Sequence, residues 1–252
     1  MTDIPSLTEP DLTRYIFKSV QLYANAIYFI EAAALGHSRV GWSIEAHICV
    51  SRDELGLAPD RKPGDIDLLL IPRHGDERVV AKSMAIEVKK FYVPQSKRSK
   101  SPNQYGATQT NGLLIDGFPF VGLLHIPIIQ PSDASRWKVV PEMGTKLVDG
   151  RPHIIGEAAV DIESYNVSRR HHGRFSRFKL DEPVGYNSFA LSLDESRSQI
   201  VGWTVSDYHL ANENPQISDF LLKGLKKFDR SPEFVVEHGL SGVNIQTNDL
   251  GL

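Results

Sequence analysis

The chain has a single cysteine, Cys49, in 252 residues, so no internal disulfide can staple it. No apolar run approaches the roughly 18 residues needed to cross a bilayer. The N-terminus, Met1-Thr2-Asp3-Ile4-Pro5, has neither the basic segment nor the apolar core of a secretory signal. Together these absences predict a cytoplasmic, intracellular protein with no membrane partner. Repeats and low-complexity tracts are also missing. Nor is there an excess of charge of one sign: 28 Lys and Arg face 31 Asp and Glu, a net charge of −3, so any contact with a polyanion must come from local basic clusters. What is there is a 41% hydrophobic content, enough for one large domain or a core with an elaborate extension.

The most informative stretch is Gly64-Asp65-Ile66-Asp67-Leu68-Leu69-Leu70-Ile71, followed by Ile86-Glu87-Val88-Lys89-Lys90. Each reads as a buried strand that ends in charge. Strand side chains alternate, so Glu87 and Lys89 share one face and Val88 the other, while Asp65 shares a face with Asp67. The turn Pro72-Arg73-His74-Gly75-Asp76-Glu77-Arg78 makes the two strands a hairpin, which brings Asp67 across from Glu87. Two carboxylates and one ammonium at a strand end form a hard oxygen site for a divalent cation, with a cationic group beside it for an anionic substrate.

Around this hairpin, Thr8 and Asp11 form a helix start with Pro10 in its first turn, and a stripe of Leu12, Ile16, Val20, Tyr23, Ile27, Ile30 and Ala34 predicts one long helix that stops at Gly36. Glu31 lies beside that stripe. From Val40 to Val50 the period becomes two, predicting a half-buried strand with Ser43, Glu45, His47 and Cys49 on its polar side. Pro59-Asp60 falls in a loop, a poorer support for a metal ligand than the strand that holds Asp67. A second helix is expected over 102–117, containing Gln104 and Gln109, and a buried strand over 118–127.

Gly64-x-x-Asp67 and Glu87-x-Lys89, in an element order of helix, three strands, helix and strand, resemble the active-site pattern of the PD-(D/E)xK nuclease superfamily, which includes many restriction endonucleases. The resemblance covers roughly residues 10 to 128. It implies an α/β fold: a restriction-endonuclease-like αβββαβ core with a mixed central sheet over 1–128, and an α+β C-terminal extension over 129–252 packed on that core. It implies metal-dependent hydrolysis of phosphodiester bonds, with DNA as partner and Mg²⁺ or Mn²⁺ as cofactor. Asp67, Glu87 and Lys89 would be catalytic, and Asp67, Glu87, the Val88 carbonyl and Glu31 would hold the metal. Glu45, Asp65, Gln104 and Gln109 are accessory candidates. Cutting both strands would favour a homodimer. The alternative is a catalytically silent nucleic-acid-binding or assembly module of the same fold.

Two basic runs are candidates for phosphate contact. The first follows the catalytic lysine and supplies Lys90, Lys97, Arg98 and Lys100. The second, over 168–179, interleaves Arg169, Arg170, Arg174 and Arg177 with phenylalanine, a mix suited to phosphate neutralisation and base stacking or to an exposed loop. Farther on, strands are expected over 189–193 and 199–210, and an amphipathic helix from Asn214 with Phe220, Leu221, Leu225 and Phe228 inside.

Overall fold

A computed structural model describes residues 4–58, 64–98, 106–143, 153–175, 180–194, 199–204, 208–240 and 242–247. Lys100, Gln104, Arg177 and Pro59-Asp60 lie outside the described residues.

The expected first helix is two helices. α1 (Glu9–Phe17) starts as anticipated, with the Thr8 side chain accepting from the Asp11 N–H. At Ser19 the backbone turns extended (φ −130°, ψ 115°), and the Ser19 hydroxyl accepts from Leu22 N to start α2 (Val20–Leu35), which ends at Gly36 with φ +79°. A serine that caps a new helix satisfies donors the old helix would have left, so the chain can bend without losing them. The restart moves Val20 off the buried stripe, leaving it 42% exposed.

β1 (Trp42–Val50) buries Ile44, Ala46 and Ile48 in the core formed with α1 and α2, as the alternation predicts. Its other side is covered at the centre, where Glu45 and His47 are both buried, while Cys49 stays exposed. The C-terminal part of the chain covers them, with the Phe228 ring edge-on to His47 at 4.8 Å. Glu45 is bound by Arg73 at 2.7 Å and Arg78 at 2.6 Å. Burial acts upward on its carboxyl, but hydrogen bonds from His47, Arg78 and Arg73 outweigh it and hold the pKa down at about 2.

β2 (Ile66–His74) runs antiparallel to β1, and β3 (Glu77–Arg78) pairs briefly with β2. A 3₁₀ turn at Val80–Lys82 then interrupts the expected hairpin before β4 (Met84–Val93), which pairs with β2 from Leu68↔Ile86 to Leu70↔Met84. α3 (Ala107–Asp116) crosses over to β5 (Phe120–Ile129), parallel to β4 from Met84↔Phe120 to Val93↔Ile129. β5 is buried along its whole length, the mark of a strand covered on both faces.

The second half joins this sheet. β6 (Lys138–Met143) and β7 (Ile154–Val160) form a separate hairpin, and α4 (Ile162–Phe175) follows. Residues 168–175, read as basic loop or contact segment, are the last half of this helix. β8 (Gly185–Asp194) runs parallel to β5, and β9 (Gln199–Thr204) is antiparallel to β8. Residues 205–207 of the strand expected over 199–210 lie outside the described residues, and beyond them His209 forms an isolated bridge with Tyr186. α5 (Asp219–Lys227) starts at Ser218 rather than at Asn214, whose amide instead donates to the carbonyls of Leu114 and Phe118. Phe220, expected inside, is 61% exposed. β10 (Phe234–Gly239) and β11 (Gly242–Thr247), not anticipated from sequence, extend the β1 edge.

The result is an α/β fold with one mixed sheet, ordered β11-β10-β1-β2-β4-β5-β8-β9 with β3 beside β2, and five α-helices among the described residues. One face packs on α1 and α2 through Leu68, Leu70, Ile86 and Val88. The other carries Leu69, Ile71 and Ala85, which pack with Leu113 of α3 and with Leu221 and Leu225 of α5.

Arg52, 1% exposed, forks onto Asp116 at the end of α3 with distances of 2.5 and 2.8 Å. Breaking one side of such a pair strands a buried charge. Asp116→Ala is therefore expected to lower unfolding free energy by about 3–5 kcal/mol in urea titrations, and the double variant Arg52→Met, Asp116→Leu by distinctly less.

Candidate active site

Asp67, Glu87 and Lys89 project from the sheet face opposite α1 and α2, as their shared parity with Leu69 and Ala85 requires. Asp67 sits where the sheet is interrupted. On one side the β1 pairing skips from Ile48↔Leu68 to Val50↔Ile66, with Cys49 between them at φ +52°, a left-handed conformation that costs a non-glycine residue energy. On the other side the β2–β4 ladder stops at Leu68↔Ile86, and the Asp67 carboxylate takes over, accepting the Val88 N–H at 2.8 Å. Irregularities of this kind re-aim side chains.

The Lys89 ammonium lies where the acids converge. Its Nζ is 2.6 Å from Glu87 Oε1, 3.5 Å from Asp67 Oδ2 and 3.5 Å from Glu9 Oε2. Glu9 comes from the first turn of α1, where the positive end of the helix dipole favours a carboxylate, and its Oε1 accepts the Lys90 N–H at 2.9 Å. Side-chain exposure rises outward, from 2% for Glu87 through 10% for Lys89 to 26% for Asp67 and 30% for Glu9, so the cluster has a buried floor and an open mouth. Asp65 is exposed.

Three carboxylates against one ammonium leave an excess of negative charge. Burial, then the neighbouring Asp67 charge, pushes Glu87 up to about 8 against the pull of Lys89. Burial likewise raises Asp67 against the pull of Lys89 and of the Val88 N–H. Lys89 is raised in turn: burial acts downward, but Glu87, Asp67 and Glu9 outweigh it, so the side chain stays an ammonium.

The site wall includes residues with no obvious signal in sequence. Gly106, at φ +85° ahead of α3, leaves no room for a side chain: a Cβ there would lie 2.9 Å from Lys89 Cγ and 2.9 Å from Leu123 Cδ1. His125 is the β5 neighbour of Lys89, buried between Phe91 and Tyr186, with the Tyr186 hydroxyl 3.3 Å from its Nδ1. Gln109 is half-buried on α3.

Several expected site residues are engaged elsewhere. Glu31, anticipated as a metal ligand, is buried against Arg39 at 2.6 Å and the Tyr23 hydroxyl, with His238 at 3.7 Å. The break at Ser19 puts Glu31 on α2 while Glu9 on α1 reaches the cluster, so the helical acid of the site is Glu9. Glu45 is saturated by Arg73 and Arg78. Lys90, expected to meet phosphate, ties down the N-terminal segment through the carbonyls of Pro5 and Leu7. Arg98 bonds Glu163 at 3.0 Å and the Gln130 carbonyl at 2.8 Å. Lys97, Arg169, Arg170 and Arg174 are exposed.

Among the described residues no group of three or more His, Cys, Asp or Glu forms a ready-made metal cage. The donor set nonetheless suits a hard divalent cation: carboxylate oxygens only, net negative, with Glu87 Oε1 buried and lacking a well-formed hydrogen bond despite its closeness to Lys89. Asp67, Glu87 and Glu9 are the residues that would hold it.

The raised Glu87 has a consequence for stability. The unfolded chain releases this proton near 4.5, whereas the folded chain keeps it to about 8. In that window folding takes up a proton, so stability falls as pH rises. In EDTA, the urea midpoint of the parent is expected to drop between pH 5 and 8, and that of Glu87→Gln to drop clearly less. Equal slopes would show that Glu87 titrates normally.

No protein-family model, curated protein or solved structure matches the chain, so a functional reading rests on the geometry of this site.

Proposed function

We propose that the protein is a metal-dependent nuclease that hydrolyses phosphodiester bonds, with DNA as substrate. The observation that carries this reading is the convergence of Asp67, Glu87 and Glu9 on the Lys89 ammonium where the central strands β2 and β4 part. It is supported by the order α1 and α2, β1, β2, β4, α3, β5, which follows the αβββαβ sequence of the PD-(D/E)xK superfamily that Gly64-x-x-Asp67 and Glu87-x-Lys89 resemble.

A bound Mg²⁺ or Mn²⁺ would polarise a phosphate oxygen and lower the pKa of a coordinated water. The chain's own residues do the rest. Asp67, fixed by the Val88 N–H, and Glu87, fixed in the sheet, present their oxygens from adjoining strands and need no rearrangement of backbone. Glu9 closes the cluster on the helix side and is the most exposed of the three acids, which suits it to meet incoming substrate. Lys89, held as an ammonium, donates to a phosphate oxygen and offsets charge in the transition state. Gly106 keeps the start of α3 close to the lysine stem, limiting the room for misplacement.

The exposed arginines of α4 fit an accessory role in substrate binding. The inner side of α4 packs over the face that bears Lys89, with His171 stacked on Phe91 at 5.7 Å, while Arg169 and Arg170 point outward. Each phosphate contact of this kind adds to the salt dependence of binding.

Purified protein incubated with plasmid and single-stranded DNA in Mg²⁺ or Mn²⁺ is expected to cleave. Glu87→Ala and Lys89→Ala should each lower the rate by about 100-fold or more at unchanged folding. Parent and variants cutting equally would contradict the assignment. DNA binding without cleavage under any metal would favour the silent module.

A further inference from the structure

The β6–β7 hairpin, the start of α4 and the β8–β9 edge line an open-mouthed cavity of about 380 Å³, separate from the carboxylate cluster. We propose that this cavity binds a small, neutral ring compound.

The lining carries the inference. Trp137, Tyr165 and Trp203 supply aromatic surface, and Val160, Leu193 and Val201 fill the space between them. A volume of this size with apolar and aromatic walls falls in the range of small-molecule sites. Apart from the Tyr165 hydroxyl, the side-chain polar groups on the wall are already used. Asp161 accepts from the N–H and hydroxyl of Ser132 at 2.7 and 2.6 Å, and from those of Ser164 at 3.1 and 2.6 Å. The indole N–H of Trp137 goes to the Ser132 carbonyl at 3.1 Å, that of Trp203 to Ser168 Oγ at 2.9 Å, and the Ser192 hydroxyl to the Ile129 carbonyl at 2.9 Å.

A ligand that needs several hydrogen bonds would thus leave most of its own polar groups unpaired against this wall, at a cost comparable to the burial it gains. Among the described residues the wall holds no cationic side chain and one carboxylate, Asp161, which disfavours anionic ligands, phosphorylated nucleotides among them. What remains favourable is a flat or alkyl-substituted neutral ring, held by dispersion and by contact with the indole faces.

Two of the chain's three tryptophans line the cavity, which makes the test optical. The full-length protein is titrated with the neutral fluorophore N-phenyl-1-naphthylamine. The expected result is saturable one-to-one binding with quenching of tryptophan emission. The anionic analogue 1-anilinonaphthalene-8-sulfonate should bind at least tenfold more weakly. Ala158→Phe, which fills the cavity, should weaken binding of the neutral probe at least tenfold without changing DNA cleavage, and Val201→Trp provides a second filled variant should the first fail to fold. Non-saturating binding, equal affinity for the two probes, or unchanged affinity in a folded filled variant would overturn the proposal. Probe-sensitive self-association would also overturn it, by assigning the cavity to a side chain of a second copy.

Discussion

The arrangement at the centre of this protein is one ammonium, that of Lys89, held among three carboxylates from three separate elements. Collecting like charges in a partly buried place is unfavourable, since each ion gives up hydration and the acids repel one another. The protein reduces that cost with fixed partners: the Val88 N–H on Asp67, the Lys90 N–H and the α1 dipole at Glu9, and Lys89 itself on Glu87. It does not remove it, as the upward pressure on Glu87 and Asp67 records. A structural ion pair would need one acid for one lysine. The surplus acids leave the cluster with more carboxyl groups than its one lysine balances.

The fold brings the cluster together by local departures from regularity. β4 leaves β2 after Ile86 and continues along β5, opening the space that Asp67 fills, while the Cys49 conformation disturbs the opposite flank. Rigid strands set the positions of Glu87 and Lys89, and helix ends supply the rest: the first turn of α1 brings Glu9, and the glycine ahead of α3 lets its start lie against the lysine stem. The C-terminal half contributes strands to both edges of the same sheet and covers the polar side of β1.

The centre of this arrangement was legible in the sequence because it depends on short-range rules. Strand alternation placed Glu87 and Lys89 on one face, and the return of the chain through the turn at Gly75-Asp76 placed Asp67 across from Glu87. The residues that were missed depend on long-range placement. Glu9 reads as an ordinary first-turn acid, and only the bend at Ser19 and the docking of α1 bring it to Lys90. Glu31 has the better helical position on a continuous helix, and loses its role once the helix breaks and Arg39 claims it. Lys90 and Arg98 look like free cations in a basic run, yet carbonyls and Glu163 hold them. Likewise Glu45 reads as an acid available to the site until Arg73, Arg78 and Phe228 converge on its strand from other segments.

The central claim is that the cluster is an anionic site loaded with a proton that a divalent cation would displace. Calorimetric titration of Mn²⁺ into metal-free protein at pH 7, repeated in buffers of different ionisation enthalpy, measures both the binding and the protons released. The account predicts saturable binding with release of close to one proton per ion, and loss of that release in Glu87→Gln. Absence of binding, or binding with no proton released, would contradict it.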